Sequence, residues 1–493
     1  MSRLIEALRA HAAARPDSVF LHGGNTSLDY ARCLGEVIEL ADRFSGSRVG
    51  LLMDNHPAWA VADLATLAAA ALCVPLPGFF TDGQLDHVIV DAGVDTILTD
   101  QPQRVGILWP DATVTALRVA DRTVSLYRRP RAGALAALPG VAKVTYTSGT
   151  TGEPKGVCLS LEVLETVAGS LVEATSASAS DASLALTPLS TLLENIGGVY
   201  VPLLAGARCG LPSLAEVGLR GAASLDVPAM LASLARHRPT SVILAPQMLQ
   251  ALVEAMEAGA PLPASLRFAA VGGAPLAGTV LARASELGLP VFEGYGLSEA
   301  ASVVTLNRPD LERRGSVGRP LPHARVRIAD DGEVHVSGAL FSGYLGQGPT
   351  HPMSEWATGD LGHLDGEGFL YLTGRKKNVF ITAFGRNVAP EWVERELLAH
   401  PAVAQAFVVG EARPFNVALL VPRPGVPADA VLRAVTEANH RLPDYARVGR
   451  FEVLDSPFTP TNGQLTGTGR LRREAIQRAY GSRIERIYGE ARR

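Results

Sequence analysis

Lysine is nearly missing from this 493-residue chain: 45 residues are basic, yet only Lys143, Lys155, Lys376 and Lys377 are lysines, so most basic positions have gone to arginine. Acidic residues outnumber basic ones, for a formal net charge of -4. Without a basic excess the chain lacks the field that phosphate contacts along a nucleic acid require, and no nucleic-acid partner is expected. Cysteine is equally rare. Cys33, Cys73, Cys158 and Cys209 lie far apart, with neither CxxC spacing nor a nearby His cluster. That excludes a zinc site or a dense disulfide framework, and points to free buried thiols in a reducing compartment, the cytoplasm. Long apolar runs are also wanting. The longest, Trp59 to Val74, is broken by Asp63 and Thr66 and bounded by Pro75 and Pro77. It is too short and too polar to form an integral membrane segment, and reads as a buried helix. The opening MSRLIEALRAHAAARP lacks the apolar stretch and cleavage site of a secretory signal, and reads as a short amphipathic helix ended by Pro16.

What is present is an ordinary globular composition, 47% hydrophobic and 19% charged, in a chain long enough for two or more domains. From residue 1 to about 140, amphipathic helices alternate with short apolar strands: a helix around Leu28 to Phe44, a strand at Arg48 to Met53, a helix around His56 to Leu72. The rhythm returns in RPTSVILAPQMLQALVEAM and LRFAAVGGAPLAGTVLARASELG, and it predicts parallel, helix-covered sheets with ligands collecting where strands end. Beyond Arg308 the strands shorten. ARVRIADDGEVHVSG reads as a hairpin turned at Asp331-Gly332, and FLYLTG as another strand of a small β-barrel-like section. The run GRKKN, Gly374 to Asn378, is the best junction, followed by a compact α+β pattern. The expected fold class is therefore α/β, a large N-terminal domain over residues 1–374 and a small C-terminal α+β domain over 375–493.

The strongest local signal is VTYTSGTTGEPKGV, Val144 to Val157, after an apolar strand and before a helix beginning near Ser160. Gly149, Gly152 and Gly156 permit tight turns and close backbone approach, while Thr147, Ser148, Thr150 and Thr151 crowd hydroxyls around exposed amides. Such a loop can wrap a polyphosphate, with Lys155 supplying a point charge. The ordinary phosphate-loop pattern GxxxxGK[ST] fails here, because Lys155 is followed by Gly156.

This loop resembles the signature of the AMP-forming acyl-adenylating superfamily, which contains acyl-CoA synthetases, aryl-CoA ligases, luciferases and the adenylation domains of peptide synthetases; the texture is nearest to fatty acyl-CoA synthetases. The resemblance covers nearly the whole chain, because the other family motifs follow in order. It implies that VGGAP, with Gly273 and Ala274, lines the wall between adenine and the acyl pocket. In FEGYGLSEA, similar to the family's YGxTE, it implies that Gly294, Tyr295 and Gly296 flank adenine, with Tyr295 stacking on it. Ser298 would bond the α-phosphate, and Glu299, with Thr147, would hold Mg2+. Asp360 of ATGDLG would accept from both ribose hydroxyls, Arg375 would reach ribose and phosphate, and Lys377 falls where the family places the hinge about which a mobile C-terminal domain pivots. The implied activity is ATP-dependent conversion of a small carboxylic acid, fatty or aryl, to an acyl-adenylate. Transfer to the pantetheine thiol of CoA or a separate acyl-carrier protein would follow, with Lys155, Glu299 and Arg470 as the catalytic set.

Two departures accompany the resemblance. Thr468-Gly469-Arg470 stands where the family's closing TGK supplies a catalytic lysine, so a bulkier planar cation must stabilise the charge on the carboxylate and α-phosphate. A catalytically impaired nucleotide- or adenylate-binding scaffold or regulator is the alternative this substitution raises; acyl transfer to an amine or a free carrier protein is a nearer one. In LTPLSTLLENIGG, Thr191 occupies the place of the family's PLxH histidine. Leu189, Leu192, Leu193 and Ile196 of that segment fit either an acyl pocket or plain helix packing. No Asp stands where amino-acid-activating members hold an amine, which favours an uncharged acyl or aryl group. Lys143 reads as a charge at a strand edge.

Overall fold

The computed structural model describes residues 2–130, 139–148, 154–220, 224–261, 263–274, 276–347, 353–466 and 469–490. Two helix-covered sheets form the larger, N-terminal part. In the first, the strands Arg48–Leu52, Leu72–Pro75 and Thr96–Thr99 run parallel, Arg48–Leu52 between the other two, and the hairpin Val141–Ser148/Pro154–Ser160 closes one edge. In the second, Ala182–Leu184, Ser241–Leu244, Phe268–Val271 and Val291–Tyr295 run parallel side by side. All five residues of Arg48–Leu52 are buried, as expected of a strand covered on both faces. A third, antiparallel sheet joins Ala324–Ile328, Glu333–Gly338, Trp356–Leu364 and Leu370–Arg375 in chain order. This is the section expected to be barrel-like; it forms an open four-stranded sheet, and its first hairpin turns at Asp331-Gly332, where Gly332 takes φ 84°.

The smaller C-terminal part has its own sheet, Val403–Val409, Asn416–Pro422 and Val448–Val453, and its own apolar clusters beneath the helices Pro390–Leu398, Ala428–Arg441 and Arg473–Glu490. Polar contacts join it to the larger part. Arg423 Nη1 donates to Glu254 Oε2 at 2.9 Å, and Thr279 Oγ1 to the Ala399 carbonyl at 3.4 Å. Among the described residues no helix is long and apolar enough to cross a membrane, and all four cysteines are free and buried.

The apolar stretch read as one helix is two elements. The helix Pro57–Ala68 ends at Ala69, Ala70 turns through φ 50°, and Leu72–Pro75 is a buried strand. Every residue from Pro57 to Leu67 is buried, so this helix is apolar on all sides and sits within the main core. Its one charge, Asp63, explains why Lys143 is no edge charge. Both side chains are fully buried, and Lys143 Nζ meets Asp63 Oδ1 at 2.6 Å. Asn195 and Tyr200 donate to Asp63 Oδ2 at 2.9 and 2.6 Å, and Cys73 Sγ to Oδ1 at 3.3 Å. A buried pair so fully satisfied adds little over an apolar pair, but removing one member strands the other. Lys143→Met or Asp63→Asn should each cost about 3–5 kcal/mol in urea unfolding of the full chain, and the double replacement should cost less than their sum; equal, additive and small losses would show the network to be incidental.

Candidate active site

The hydroxyl-rich loop hangs from the hairpin whose register pairs Tyr146 with Gly156, Thr147 with Lys155 and Ser148 with Pro154. Gly149, Thr150, Thr151 and Gly152 lie outside the described residues, as does the side chain of Ser148. Both stems are gripped by one helix, Asp82–Asp91. His87 Nε2 donates to the Pro154 carbonyl at 3.1 Å, and Asp91 Oδ2 accepts from the Tyr146 hydroxyl at 2.7 Å. Spaced four apart, the two residues share one helix face. Lys155 is exposed and stands over the Tyr344 ring, 5.6 Å from its centroid.

The second group sits where parallel strands of the other sheet end. Phe268–Val271 runs into Gly272, Gly273 and Ala274, and the neighbouring Val291–Tyr295 into Gly296 and the short 3-10 turn Ser298–Ala300. Two glycines here are sterically required. A Cβ on Gly296 would lie 1.5 Å from the Ser302 carbonyl oxygen, and one on Gly272 2.8 Å from that of Gly294. Glu299 faces the loop hairpin: its Oε1 accepts from the Tyr344 hydroxyl at 2.6 Å.

The third group comes from the antiparallel sheet, whose register puts Asp360 opposite Arg375. Arg375 Nε donates to Asp360 Oδ1 and the Tyr295 hydroxyl to Oδ2, both at 2.6 Å. The second and third groups therefore meet directly. Burial pushes the Asp360 carboxyl above its usual range, opposed by Arg375 and Tyr295; burial and then Asp360 push the Tyr295 phenol far up. Lys376 is turned away, bound to Asp331 and Glu333 at 2.6 and 2.7 Å, whereas Lys377 is lowered by burial and then by Arg375, with Glu474, Glu391 and Asp360 opposing.

Arg470 reaches this cluster from the C-terminal part. Its Nε and Nη2 donate to the Gly273 carbonyl at 3.0 and 2.7 Å. Hemmed in by protein yet open on its outer face to the cleft, the guanidinium is drawn down first by desolvation and then by Arg375, with Asp360, Glu299 and Tyr295 pulling the other way. It remains a cation, because arginine does not lose its proton in proteins. Arg375, Arg470, Asp360, Glu299 and, through Tyr344, the Lys155 ammonium thus gather where the two parts of the chain meet. The groups suit a magnesium nucleotide: hard oxygen donors in Glu299 and Thr147, cations for phosphate in Lys155 and Arg470, and a buried carboxylate at Asp360 for hydroxyls.

The segment after Leu186 is helical, as both readings of it require. Leu192–Asn195, a π-turn at Ile196–Tyr200 and Val201–Ala205 form one helical run, and Leu189, Leu192 and Ile196 are buried in the main core with Leu193 packed against it. All four pack into the core, an environment that either alternative, helix packing or the wall of an apolar pocket, would give them. Asn55 fixes the segment's start, donating to the Thr187 carbonyl and accepting from Leu189 N–H, each at 2.8 Å. Sequence reasoning missed Tyr344, Asn55, His87, Asp91 and Glu194. The i, i+4 pair His87/Asp91 was the one such signal available.

Comparison with known proteins matches residues 8–345 to the AMP-binding enzyme family and residues 377–492 to the AMP-binding enzyme C-terminal domain. The chain belongs to the AMP-binding enzyme family, and the expected class, an AMP-forming acid–thiol ligase, stands. It is 29% identical to a long-chain-fatty-acid–CoA ligase of Mycobacterium bovis, covering 90% of this chain and 88% of that one. It is also 29% identical to a feruloyl-CoA synthase of Amycolatopsis, over 95% and 97% of the two chains. The fold matches the o-succinylbenzoate CoA synthetase of Bacillus subtilis in complex with its acyl-adenylate intermediate, at 24% identity and TM-score 0.76 over 96% and 97% of the chains.

Glu194 offers a pH signature. It is buried, its Oε2 accepts from Thr187 N–H and Oγ1 at 3.1 and 2.6 Å, and a Cβ on Gly198 would strike its Oε1 at 2.5 Å. Burial pushes its carboxyl from 4.5 to about 8. Between those values the unfolded chain gives up a proton that the folded chain keeps, so this group lowers stability as pH rises through that window. Glu194→Gln removes the titration: the melting temperature of the variant minus that of the natural chain should grow from pH 5 to pH 8, and a flat difference would show Glu194 to be ionised in the fold.

Proposed function

We propose that this enzyme uses MgATP to activate an uncharged carboxylic acid, fatty or aryl, as an acyl-adenylate, and transfers the acyl group to the pantetheine thiol of CoA in the cytoplasm. A carboxylate oxygen bonds to the α-phosphorus as the bond to pyrophosphate breaks. The thiolate then adds to the acyl carbon, and the C–O bond to AMP breaks. Positioning and electrostatics carry the first step. Lys155 balances charge on the leaving pyrophosphate, Asp360 and Arg375 hold the ribose, Tyr295 packs on adenine, and Ser298 bonds the α-phosphate. Magnesium, held by the oxygens of Glu299 and Thr147, would neutralise phosphate charge. Support for the acid class comes from the names of the two 29% relatives, one a fatty-acid and one an aryl-acid ligase.

The observation that carries the reading is the place of Arg470. A cation from the C-terminal part lies against Gly273 and faces Asp360, Glu299 and Tyr295, where charge concentrates during adenylation. Bonding the Gly273 carbonyl leaves the fork's remaining donors for carboxylate and phosphate. The domains divide as 1–374 and 375–493 and pivot at Lys377, in the short 3-10 turn Lys376–Asn378 that follows the strand Leu370–Arg375. The polar contacts between the parts suit an interface that opens and re-forms.

Acid-dependent pyrophosphate release, run with a panel of fatty and aryl acids, tests this directly. The natural chain should turn over, Arg470→Lys should match or exceed it, and Arg470→Ala should fall about 100- to 1,000-fold. No turnover in the natural chain, with rescue by lysine, would overturn the proposal and leave a nucleotide-binding scaffold.

A further inference from the structure

Glu299 and Lys155 face the same space with opposite charge. Left to themselves, a carboxylate and an ammonium that converge on one space tend to pair with each other, and a nucleotide would have to break that pair before using either group. What stands between them is Tyr344. Its hydroxyl donates to Glu299 Oε1 at 2.6 Å, and its ring face carries the Lys155 ammonium 5.6 Å from the centroid, so one side chain engages the anion through its edge and the cation through its π-system.

The ring has little freedom to move aside. Phe341 meets it edge-on at 5.1 Å and Trp356 at 6.0 Å, and those two rings pack on each other at 4.9 Å. The backbone around it is stitched to both charged neighbours. Phe341 N–H donates to the carbonyl of Glu299 itself at 2.8 Å. At the other end, Leu345 N–H donates to the Gly156 carbonyl at 2.8 Å, Cys158 N–H to the Gly343 carbonyl at 3.0 Å, and Ser342 N–H to the Cys158 carbonyl at 2.8 Å, which lays the segment along the strand that bears Lys155. A tyrosine held at this point fixes the separation of the two charges as well as their directions.

We propose that Tyr344 is a positioning residue that keeps Glu299 and Lys155 from pairing, so that the carboxylate stays available to magnesium and the ammonium to the outer phosphates. The inference rests on the nucleotide reading of the site above. Phenylalanine at this position keeps the ring face for Lys155 and releases Glu299 to swing toward the ammonium.

Calorimetric titration of the full chain with MgATP and, separately, with AMP tests it, because AMP lacks the outer phosphates and the metal. Tyr344→Phe should weaken MgATP about tenfold and AMP by less than about twofold, and the MgATP loss should vanish in a Glu299→Gln background, where no anion remains to pair with Lys155. MgATP binding equal to that of the natural chain, a parallel loss of AMP affinity, or a loss that persists undiminished beside Glu299→Gln would each overturn the proposal. Failure of the natural chain to bind MgATP at all would instead overturn the nucleotide reading on which it stands. A melting temperature of Tyr344→Phe within about 2 °C of the natural chain separates these results from misfolding.

Discussion

One buried carboxylate, Asp63, ties together the elements that the cleft needs. It sits on the wholly buried helix Pro57–Ala68, and its partners come from three directions: Lys143 from the strand that leads into the hydroxyl-rich loop, Cys73 from the strand alongside, and Asn195 with Tyr200 from the π-turned run after Leu186. The first two belong to one sheet; the third packs toward the other. A charge at the centre of an apolar helix is tolerated only when every oxygen is satisfied, and satisfying this one fixes where the loop-bearing strand and the helical run lie relative to each other. Apolar packing alone would bury the same surfaces with less control over register.

From that frame the charged groups reach the cleft along short, rigid paths. Thr147 and Lys155 ride on the hairpin whose first strand carries Lys143, held from behind by His87 and Asp91. Tyr295 ends a strand of the second sheet and Glu299 sits in the short turn after it, and Asp360 and Arg375 face each other across two antiparallel strands. Each is therefore placed by sheet geometry rather than by a flexible loop. The exception is Arg470, which arrives from the C-terminal part and depends on how that part sits; its bonds to the Gly273 carbonyl tie it to the turn at the end of the strand Phe268–Val271. A site whose last cation is delivered by a separate body can be assembled for one half-reaction and dismantled for the next.

How much of this was legible in the sequence follows from where the partners lie. The loop VTYTSGTTGEPKGV carries its pattern inside a few residues and could be read in place, whereas the YGLSE, TGD and GRKK segments were legible only through the ordered resemblance to a family, since Asp360 meets Tyr295 across 65 residues. Tyr344 could not be read: its partner Glu299 is 45 residues away, and FSGYLG carries no spacing that marks a site. Lys143 was misread for the same reason, because Asp63 lies 80 residues earlier and nothing near the lysine shows that it is buried. The break in the long apolar stretch was hidden by composition, since the turn falls at Ala70 within a run of alanines, where a left-handed residue is normally signalled by glycine. Leu192 and Ile196 were open to two readings from the start, because a core-facing stripe and a ligand-facing one share a helical period.

The central claim is that elements from both sheets, the antiparallel section and the C-terminal part converge on a single nucleotide. Hydrogen–deuterium exchange on the full chain, with and without MgATP, tests that convergence most directly. The account predicts that MgATP slows exchange together in residues 141–160, 291–300, 357–378 and the segment around Arg470, while the helix Ala428–Arg441 is unchanged. Protection confined to one of these segments, or to none, would contradict it.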